Sequence, residues 1–483
     1  MEIALAQGGD DTGARVQHVM RLRLAIVSIA APGLLSAGCL VGPNYSKPVL
    51  PTPEAIRGAE GAAAGPAFGE AKWWEVFQDE QLQTLVRTAV DRNDNVRLAA
   101  ARMLEAEAQL GITRSDQYPS VSADVQAGGG RTPAQGSTAA RNAAALRLEG
   151  STAWELDFWG RFRRATESAR AQLLATQWGR RAVLTTVVSQ VAEAYFELRA
   201  LDLQLDISRR TLTSRQESLQ LTQVRESGGV TSLVDVREAE QLVFGAGAAI
   251  VVLERRIAQQ ENFISILLGN FPAPITRGRE LVDQPHSPDV PAGLPSSLLD
   301  RRPDIQAAEQ QIVAANAQIG VARSAYFPSI TLTGGGGVQS AALGALFGSG
   351  AGFWTAIVGA SQPVFTAGRT RSQVALAEAR TQEATILYAQ TVKEAFREIS
   401  DAIVGYSKSR EFRAQQESLT TAAQDARRLA GIRYQGGATG YLEVLDADTR
   451  LFIAEIGLAD ARLSELSAFV EVYRALGGGW EQE

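Results

Sequence analysis

Hydrophobic and polar positions first alternate strictly and then settle into a longer rhythm. In Ser120–Ala127 the apolar set is Val121, Ala123, Val125 and Ala127, and the interleaved set is Ser120, Ser122, Asp124 and Gln126. A second stretch puts Leu146, Leu148, Trp154, Leu156 and Phe158 in one parity and Arg147, Glu149, Ser151, Glu155 and Asp157 in the other. Further on, Ile330 and Leu332 alternate with Ser329, Thr331 and Thr333, while a fourth stretch near Phe353–Phe365 alternates poorly. Period two predicts strands with one apolar and one polar face. After each strand pair the rhythm changes. Val187, Val191, Ala194, Leu198, Leu201, Leu205, Leu212 and Leu219 recur at heptad-like spacing, and no proline interrupts Gly160–Ser227. The second run carries Val392, Phe396, Ile399, Ile403 and Tyr406. Alternation of four and three predicts coiled-coil packing, and some 65 residues of helix reach roughly 100 Å.

The chain reads as a duplication. Gln109-Leu-Gly-Ile-Thr-Arg-Ser matches Gln318-Ile-Gly-Val-Ala-Arg-Ser, and both segments continue to a Pro-Ser pair, Pro119-Ser120 and Pro328-Ser329. Gly160-Arg161 matches Gly368-Arg369, Gly228-Gly229 matches Gly436-Gly437, and Leu268-Gly269 matches Leu476-Gly477. Between them Gln216-Glu-Ser-Leu219 meets Gln416-Glu-Ser-Leu419, which suggests a second copy several residues shorter in mid-helix. So long a period excludes solenoid repeats and predicts two copies of one large unit. Repeat 1 spans 79–269, with a helix, a β-hairpin over 118–158, a long helix over 160–227 and a helix over 231–268. Repeat 2 spans 302–477, with a helix, a β-hairpin over 328–365, a long helix over 367–435 and a helix over 440–476. A segment 39–78 precedes them, a Pro-rich linker 270–301 separates them, and a tail 478–483 follows.

Composition narrows the chemistry. Of the 483 residues 47 are basic and 53 acidic, which argues against a nucleic-acid partner. There are two histidines, His18 and His286, and one cysteine, Cys39, so a Cys/His zinc site and an intrachain disulfide are excluded. No acid–base pair with a positioned partner emerges, and an enzyme is not expected. Arg21 and Arg23 precede an apolar stretch, Leu24–Leu35, and then Ser36-Ala37-Gly38-Cys39. That order describes a secretory leader over 1–38, with Met20 as the expected start. The apolar core is too short for a spanning helix. Cys39 stands where a bacterial lipoprotein leader is cut and is the expected lipid acceptor, so the one covalent group expected is that lipid and no cofactor is. Leu40, rather than an acidic residue, resembles sorting to the outer membrane.

The alternating strands alone fit a soluble, half-buried sheet. With a lipoprotein leader, and with Tyr118, Trp154, Trp159, Tyr326, Phe327 and Trp354 near strand ends, they also fit an outer-membrane barrel with a polar lumen. Four strands cannot close such a barrel and lipid does not tolerate open edges, so closure is expected between chains.

Val41-Gly-Pro-Asn-Tyr-Ser-Lys-Pro48 after Cys39, Arg301-Arg-Pro-Asp-Ile305, and the paired segments Gly229-Val-Thr-Ser-Leu-Val-Asp-Val236 and Gly437-Ala-Thr-Gly-Tyr-Leu-Glu-Val444 resemble motifs of the TolC-family outer-membrane lipoproteins of the NodT/OprM type. The resemblance runs from about Leu35 to Trp480. It departs at Val234, Gly440 and Glu443, where the repeated turn has Leu, Ser and Asp. It implies a mixed α and β membrane protein and a homotrimer. A twelve-stranded barrel would be continuous with a long periplasmic α-helical barrel, and the tips of its helix hairpins would meet a periplasmic adaptor and, through it, an inner-membrane pump of the resistance-nodulation-division type. The implied function is a passive outer-membrane duct for small toxic molecules. A duct for a type I protein exporter and a coiled-coil structural envelope lipoprotein are the competing readings.

The resemblance also suggests site residues. Gly229, Thr231, Ser232, Gly437, Thr439 and Tyr441 lie at the tips and are candidates for adaptor contact, although turn chemistry alone explains the glycines. Asp446 lies one helical turn after Leu442. By resemblance the two form an acidic–apolar pair at a periplasmic gate, with Asp235 and Asp448 as weaker candidates. Three copies of Asp446 would make a cation-attracting ring. His286 reads as a surface residue of the linker. Gly128–Gly130 and Gly334–Gly337 lack the context of a phosphate loop and read as strand glycines.

Overall fold

The computed structural model describes residues 40–51, 53, 56–57, 71–133, 141–284 and 300–480. The expected leader, Cys39, His286, residues 481–483 and most of the first strand-linking loop lie outside them. Two compact units are distinguished, one built from Met1–Lys47, Glu107–Gln172 and Gln311–Ala384, the other from Pro48–Ala106, Leu173–Gln310 and Thr385–Glu483.

After a single helical turn at Trp73–Val76, the described elements run α1 (Glu80–Arg92), α2 (Asp94–Ser115), β1 (Ser120–Thr132), β2 (Arg141–Leu156), α3 (Arg161–Ser227), α4 (Leu233–Leu267), α5 (Pro303–Ser324), β3 (Ser329–Ser340), β4 (Gly352–Ser361), α6 (Arg369–Gln435) and α7 (Tyr441–Ala475). Where the pattern predicts one helix before the first hairpin there are two. Asn93 divides them: its backbone leaves helical angles, its Oδ1 accepts from the N–H of Asn95 and Val96, and its Nδ2 donates to the Leu267 carbonyl at 2.8 Å. The mid-helix shortening expected for the second copy does not occur. Both long helices have 67 residues and both following helices have 35. The Gln-Glu-Ser-Leu coincidence is a match between neighbouring turns of two heptad-patterned helices, which resemble themselves when slid by about one repeat.

In the first unit the four strands form one antiparallel sheet in the order β1-β2-β3-β4. The segment that follows Cys39 docks beside it. Arg164 is almost fully buried and donates to the carbonyls of Val41 and Gly42, to Asn44 Oδ1 at 2.8 Å and to Glu167. The Asn316 amide donates to the Pro43 carbonyl at 3.0 Å. Gly42 has φ +100°, and a Cβ there would fall 2.5 Å from the Gly320 Cα, so two glycines are needed for this close approach.

The core of the second unit follows the heptad register. Val187, Val191, Ala194 and Leu198 form one buried cluster with Ile399, Tyr406, Phe77, Phe469, Val470 and Tyr473, and Leu201 and Val392 are buried on the same two long helices. At its edge sits a buried carboxylate. Asp79 caps α1 through the N–H groups of Gln81 and Leu82, and accepts from Tyr195 Oη at 2.9 Å, the Arg279 N–H at 3.0 Å and Gln284 Nε2 at 3.0 Å. Burial works to raise its pKa, but the hydrogen bonds from Gln284, Tyr195, Leu82 and Arg279 outweigh it and hold the carboxyl below its ordinary value. Burial, followed by the bond to Asp79, pushes the Tyr195 phenol up.

A carboxyl whose folded pKa is depressed stabilises the fold above its ordinary value of 3.8 and loses that contribution as the pH falls through the lowered value. Asp79→Ala is therefore expected to cost about 2–4 kcal/mol at pH 7, because buried donors lose their acceptor. The gap to the parent protein should narrow below pH 3.8. Denaturation midpoints in detergent at pH 7 and pH 3 check this, and an equal gap at both contradicts it.

Candidate functional site: sheet faces and hairpin tips

Residues opposite each other in an antiparallel pair share a face. The register aligns Val125 with Leu148, Leu148 with Val338, Trp154 with Leu332, Leu332 with Val358, and Gly336 with Trp354. One face thus collects Val121, Val125, Leu148, Leu332, Trp354 and Val358. It is bare: Val121, Val125 and Trp354 are about four-fifths exposed, at 80%, 79% and 80%. The other face carries Ser122, Asp124, Gln126, Arg147, Glu149, Ser151, Glu155, Thr331, Thr333 and Gln339. The poor alternation of β4 is resolved by register. Phe353 and Ile357 stand on the polar face, where the Arg147 guanidinium lies 4.5 Å from the Phe353 ring centre. Gly334–Gly337 and Gly128–Gly130 lie within β3 and β1. A Cβ at Gly337 would fall 2.0 Å from the Leu148 carbonyl oxygen, so the β2–β3 approach requires glycine there.

Among the described residues β1 and β4 each have one strand neighbour, and so the sheet has two open edges. No described helix is long and apolar enough to cross a membrane. Aromatic residues gather where the strands meet the helices. Trp159 stacks on Phe327 at 4.7 Å and donates to the Pro328 carbonyl, and Trp154 donates to the Gln117 carbonyl.

The two helix hairpins of the second unit end in matched turns. After α3 the N–H of Val230 returns to the Arg225 carbonyl, with Gly229 at φ +71°. After α6 the N–H of Ala438 returns to the Arg433 carbonyl, with Gly437 at φ +74°. Both close by the same glycine-dependent C-cap. The restarts differ. Ser232 caps α4 in a reciprocal box with Asp235, whose carboxylate also takes the Thr231 hydroxyl. Those bonds, from Thr231 first and then the Ser232 backbone, hold the Asp235 carboxyl below its usual value. Gly440 offers α7 no side-chain cap, and Thr439 instead bonds Glu443.

Three of the tip assignments change. Tyr441 is buried, not presented to a partner. Its ring packs 5.4 Å from that of Tyr434, among Ala239, Ala430, Val444 and Ala447. An aromatic one residue past a glycine turn reads as exposed until a neighbouring helix covers it. Asp448 is also buried and cannot line a lumen as a free carboxylate. Arg215 Nε reaches it at 2.8 Å and Arg427 Nε at 3.2 Å, while Arg215 also donates to the Leu242 carbonyl. Asp235 is occupied in capping. Asp446 and Leu442 remain at the surface: Leu442 is 65% exposed, and Asp446 pairs with Arg450 at 2.8 Å one turn along. The expected acidic ring therefore carries its own counter-charges. Gly229, Thr231, Ser232, Gly437 and Thr439 lie in the turns themselves. The ties across the hairpins, Arg215 to Asp448 and Arg225 over the Tyr434 ring at 4.4 Å, were not found from sequence. Their members stand more than 200 residues apart, and no local pattern marks them.

The chain resembles known proteins along most of its length. The family model described as "Outer membrane efflux protein" matches residues 85–270 and again 294–478, once per repeat. The "Probable efflux pump outer membrane protein TtgC" of Pseudomonas putida is 36% identical over 469 residues, covering 95% of this chain and 96% of that protein. The "Cation efflux system protein CusC" of Escherichia coli is 34% identical over 452 residues, covering 92% and 97%. The open-state outer membrane channel MtrE of Neisseria gonorrhoeae superposes with a TM-score of 0.85 at 29% identity, covering 92% of this chain and 99% of that one. The family match in both repeats and the likeness across nearly the full length agree, and the chain belongs to the outer membrane efflux protein family.

Proposed function

We propose that three copies of this outer-membrane efflux protein close one duct that serves a periplasmic adaptor and an inner-membrane pump. The observation that carries the reading is the sheet, apolar on one face, polar on the other and unpaired at both edges. In a bilayer an unpaired strand edge leaves backbone N–H and C=O groups without partners, at several kcal/mol each. Three four-stranded sheets give twelve strands, enough for a membrane barrel with the polar faces inward. The helix hairpins form the periplasmic part of the duct. Their turns, with Gly229, Thr231, Ser232, Gly437 and Thr439, meet the adaptor, and a pump of the resistance-nodulation-division type supplies the energy. The cargo class is small toxic molecules. The β3–β4 loop around Leu343 and Phe347, both exposed, faces the cell exterior.

Cys39 is the lipid acceptor in this reading. The docked segment Leu40–Asn44 supports it, because Leu40 lies against Gly160 beside the aromatic junction of strands and helices. In this reading the acyl group sits at headgroup level, where Trp and Tyr gather. Metabolic labelling with palmitate is expected to mark the parent protein and not Cys39→Ser; equal labelling contradicts the assignment.

The narrow end is assigned to Asp446 and Leu442, exposed on one face of α7. Since Arg450 balances the carboxylate, the pair acts here as a constriction rather than as a charge filter. In planar bilayers the protein is expected to give discrete, low resting conductance. Asp446→Ala should raise that conductance by removing bulk and a polar tie in all three copies. Absence of channels contradicts the duct, and a conducting parent with an unchanged Asp446→Ala contradicts only the gate.

A further inference from the structure

We propose that Asp124, on the polar face of β1, sets the charge preference of the duct, in the barrel rather than at the hairpin tips. The proposal rests on the three-copy duct reading.

Among the described side chains, the charged groups on the polar face can be followed one by one. Glu149 is directly opposite Asp124 in the β1–β2 register. It is compensated on its own strand, since Arg147 Nη2 lies 2.6 Å from its Oε2. Arg147 is held on the side away from β1. Its guanidinium crosses over β3 to lie 4.5 Å from the Phe353 ring centre on β4, and the β3 position opposite Phe353 is Gly337. No side chain stands between them, and the β2–β3 approach excludes one at Gly337. The same cation is therefore engaged by Glu149 and Phe353 and is turned from Asp124. Toward the helices Glu155 pairs with Arg161 at 2.8 Å. Asp157 takes the N–H groups of Phe162 and Arg163 and the Arg163 guanidinium. Among the described residues, Asp124 receives only the Ser122 hydroxyl, at 3.4 Å.

The free edge does not alter this balance. A ring of copies sets β4 of one chain against β1 of the next. The polar-face residues of β4 are Phe353, Thr355, Ile357, Gly359 and Ser361, none of them charged. Whatever register that junction adopts, β4 of the neighbour brings Asp124 no cation. An uncompensated carboxylate among the described polar-face residues, repeated around a threefold axis inside a low-dielectric wall, raises the local cation concentration and repels anions. At the tips Arg450 balances Asp446, and Arg215 and Arg427 hold Asp448.

The test is the reversal potential of single channels of the full-length protein under a tenfold potassium chloride gradient. The parent channel is expected to favour potassium over chloride, most strongly at low ionic strength, because screening is weakest there. Asp124→Asn, nearly the same shape, should bring the permeability ratio toward about 1, as removal of a ring charge requires. Arg147→Gln should raise the ratio by leaving Glu149 uncompensated. Asp124→Cys provides an internal control for folding. A cationic methanethiosulfonate reagent should turn its channels toward chloride, and an anionic one should restore potassium preference. An unchanged ratio in Asp124→Asn, or in Asp124→Cys after both reagents, overturns the proposal while leaving the duct intact. A parent protein with no conductance overturns both.

Discussion

In hydrocarbon an unpaired backbone N–H or C=O costs several kcal/mol, and β1 and β4 each expose a row of them. Among the described residues no strand completes those edges, so the strands are stable in a membrane only when another chain completes them. Much of the first unit follows from this need. The apolar face is left bare because lipid, not protein, covers it. Glycines on β3 let β2 approach closely enough that Arg147 reaches Phe353 across the polar face. Aromatic residues cluster where strands give way to helices, and the segment after Cys39 is pinned to the same junction by Arg164.

The second unit answers a different demand, that of holding very long helices in register. Buried Val, Leu and Ile at heptad-like positions supply most of the cohesion, each fully buried side chain contributing about 1.5–3 kcal/mol. They do not fix which helix faces which, since a heptad seam tolerates sliding. Direction comes from polar ties placed once each: Asp79 with Tyr195 and Gln284, Gln204 with Asp460 at 2.6 Å, and Arg215 with Asp448. Breaking one partner of a buried pair is costly even where the intact pair is nearly neutral, so such ties specify more than they stabilise. At the tips, the Asp448 cluster and the Arg225–Tyr434 contact link helices of the two repeats, and a change in how the hairpins pack has to repack them together.

Elements set by local periodicity were legible in the sequence. Val121, Ala123, Val125 and Ala127 announced a two-faced strand, and Val187 to Leu201 announced a coiled seam. The matched Gly-Gly turns announced two hairpins and a duplication. What depended on register or on distant chain was not. The polar-face position of Phe353 is visible only once β3 is set against β4. Tyr441 and Asp448 sit in sequence contexts that suggest exposure, yet residues of both repeats cover them, Tyr434 and Ala239 at Tyr441 and Arg427 and Arg215 at Asp448. The false shortening in the second copy has the same origin, since heptad patterning makes helices resemble themselves at small shifts. The family resemblance supplied the tip residues as a set, and the structure divided that set into turn glycines, caps, a buried aromatic and a surface acidic–apolar pair.

The central claim is that the sheet is completed by copies of the same chain, three to a barrel. The mass of the intact protein extracted from outer membranes, measured by native mass spectrometry after detergent removal, tests it most directly. The account predicts a single species of three chains, near three times the mass of one chain, 51.6 kDa before any processing, with strand content retained. A membrane-extracted species of one chain with the same strand content would contradict it, because its edges would then be satisfied without a partner.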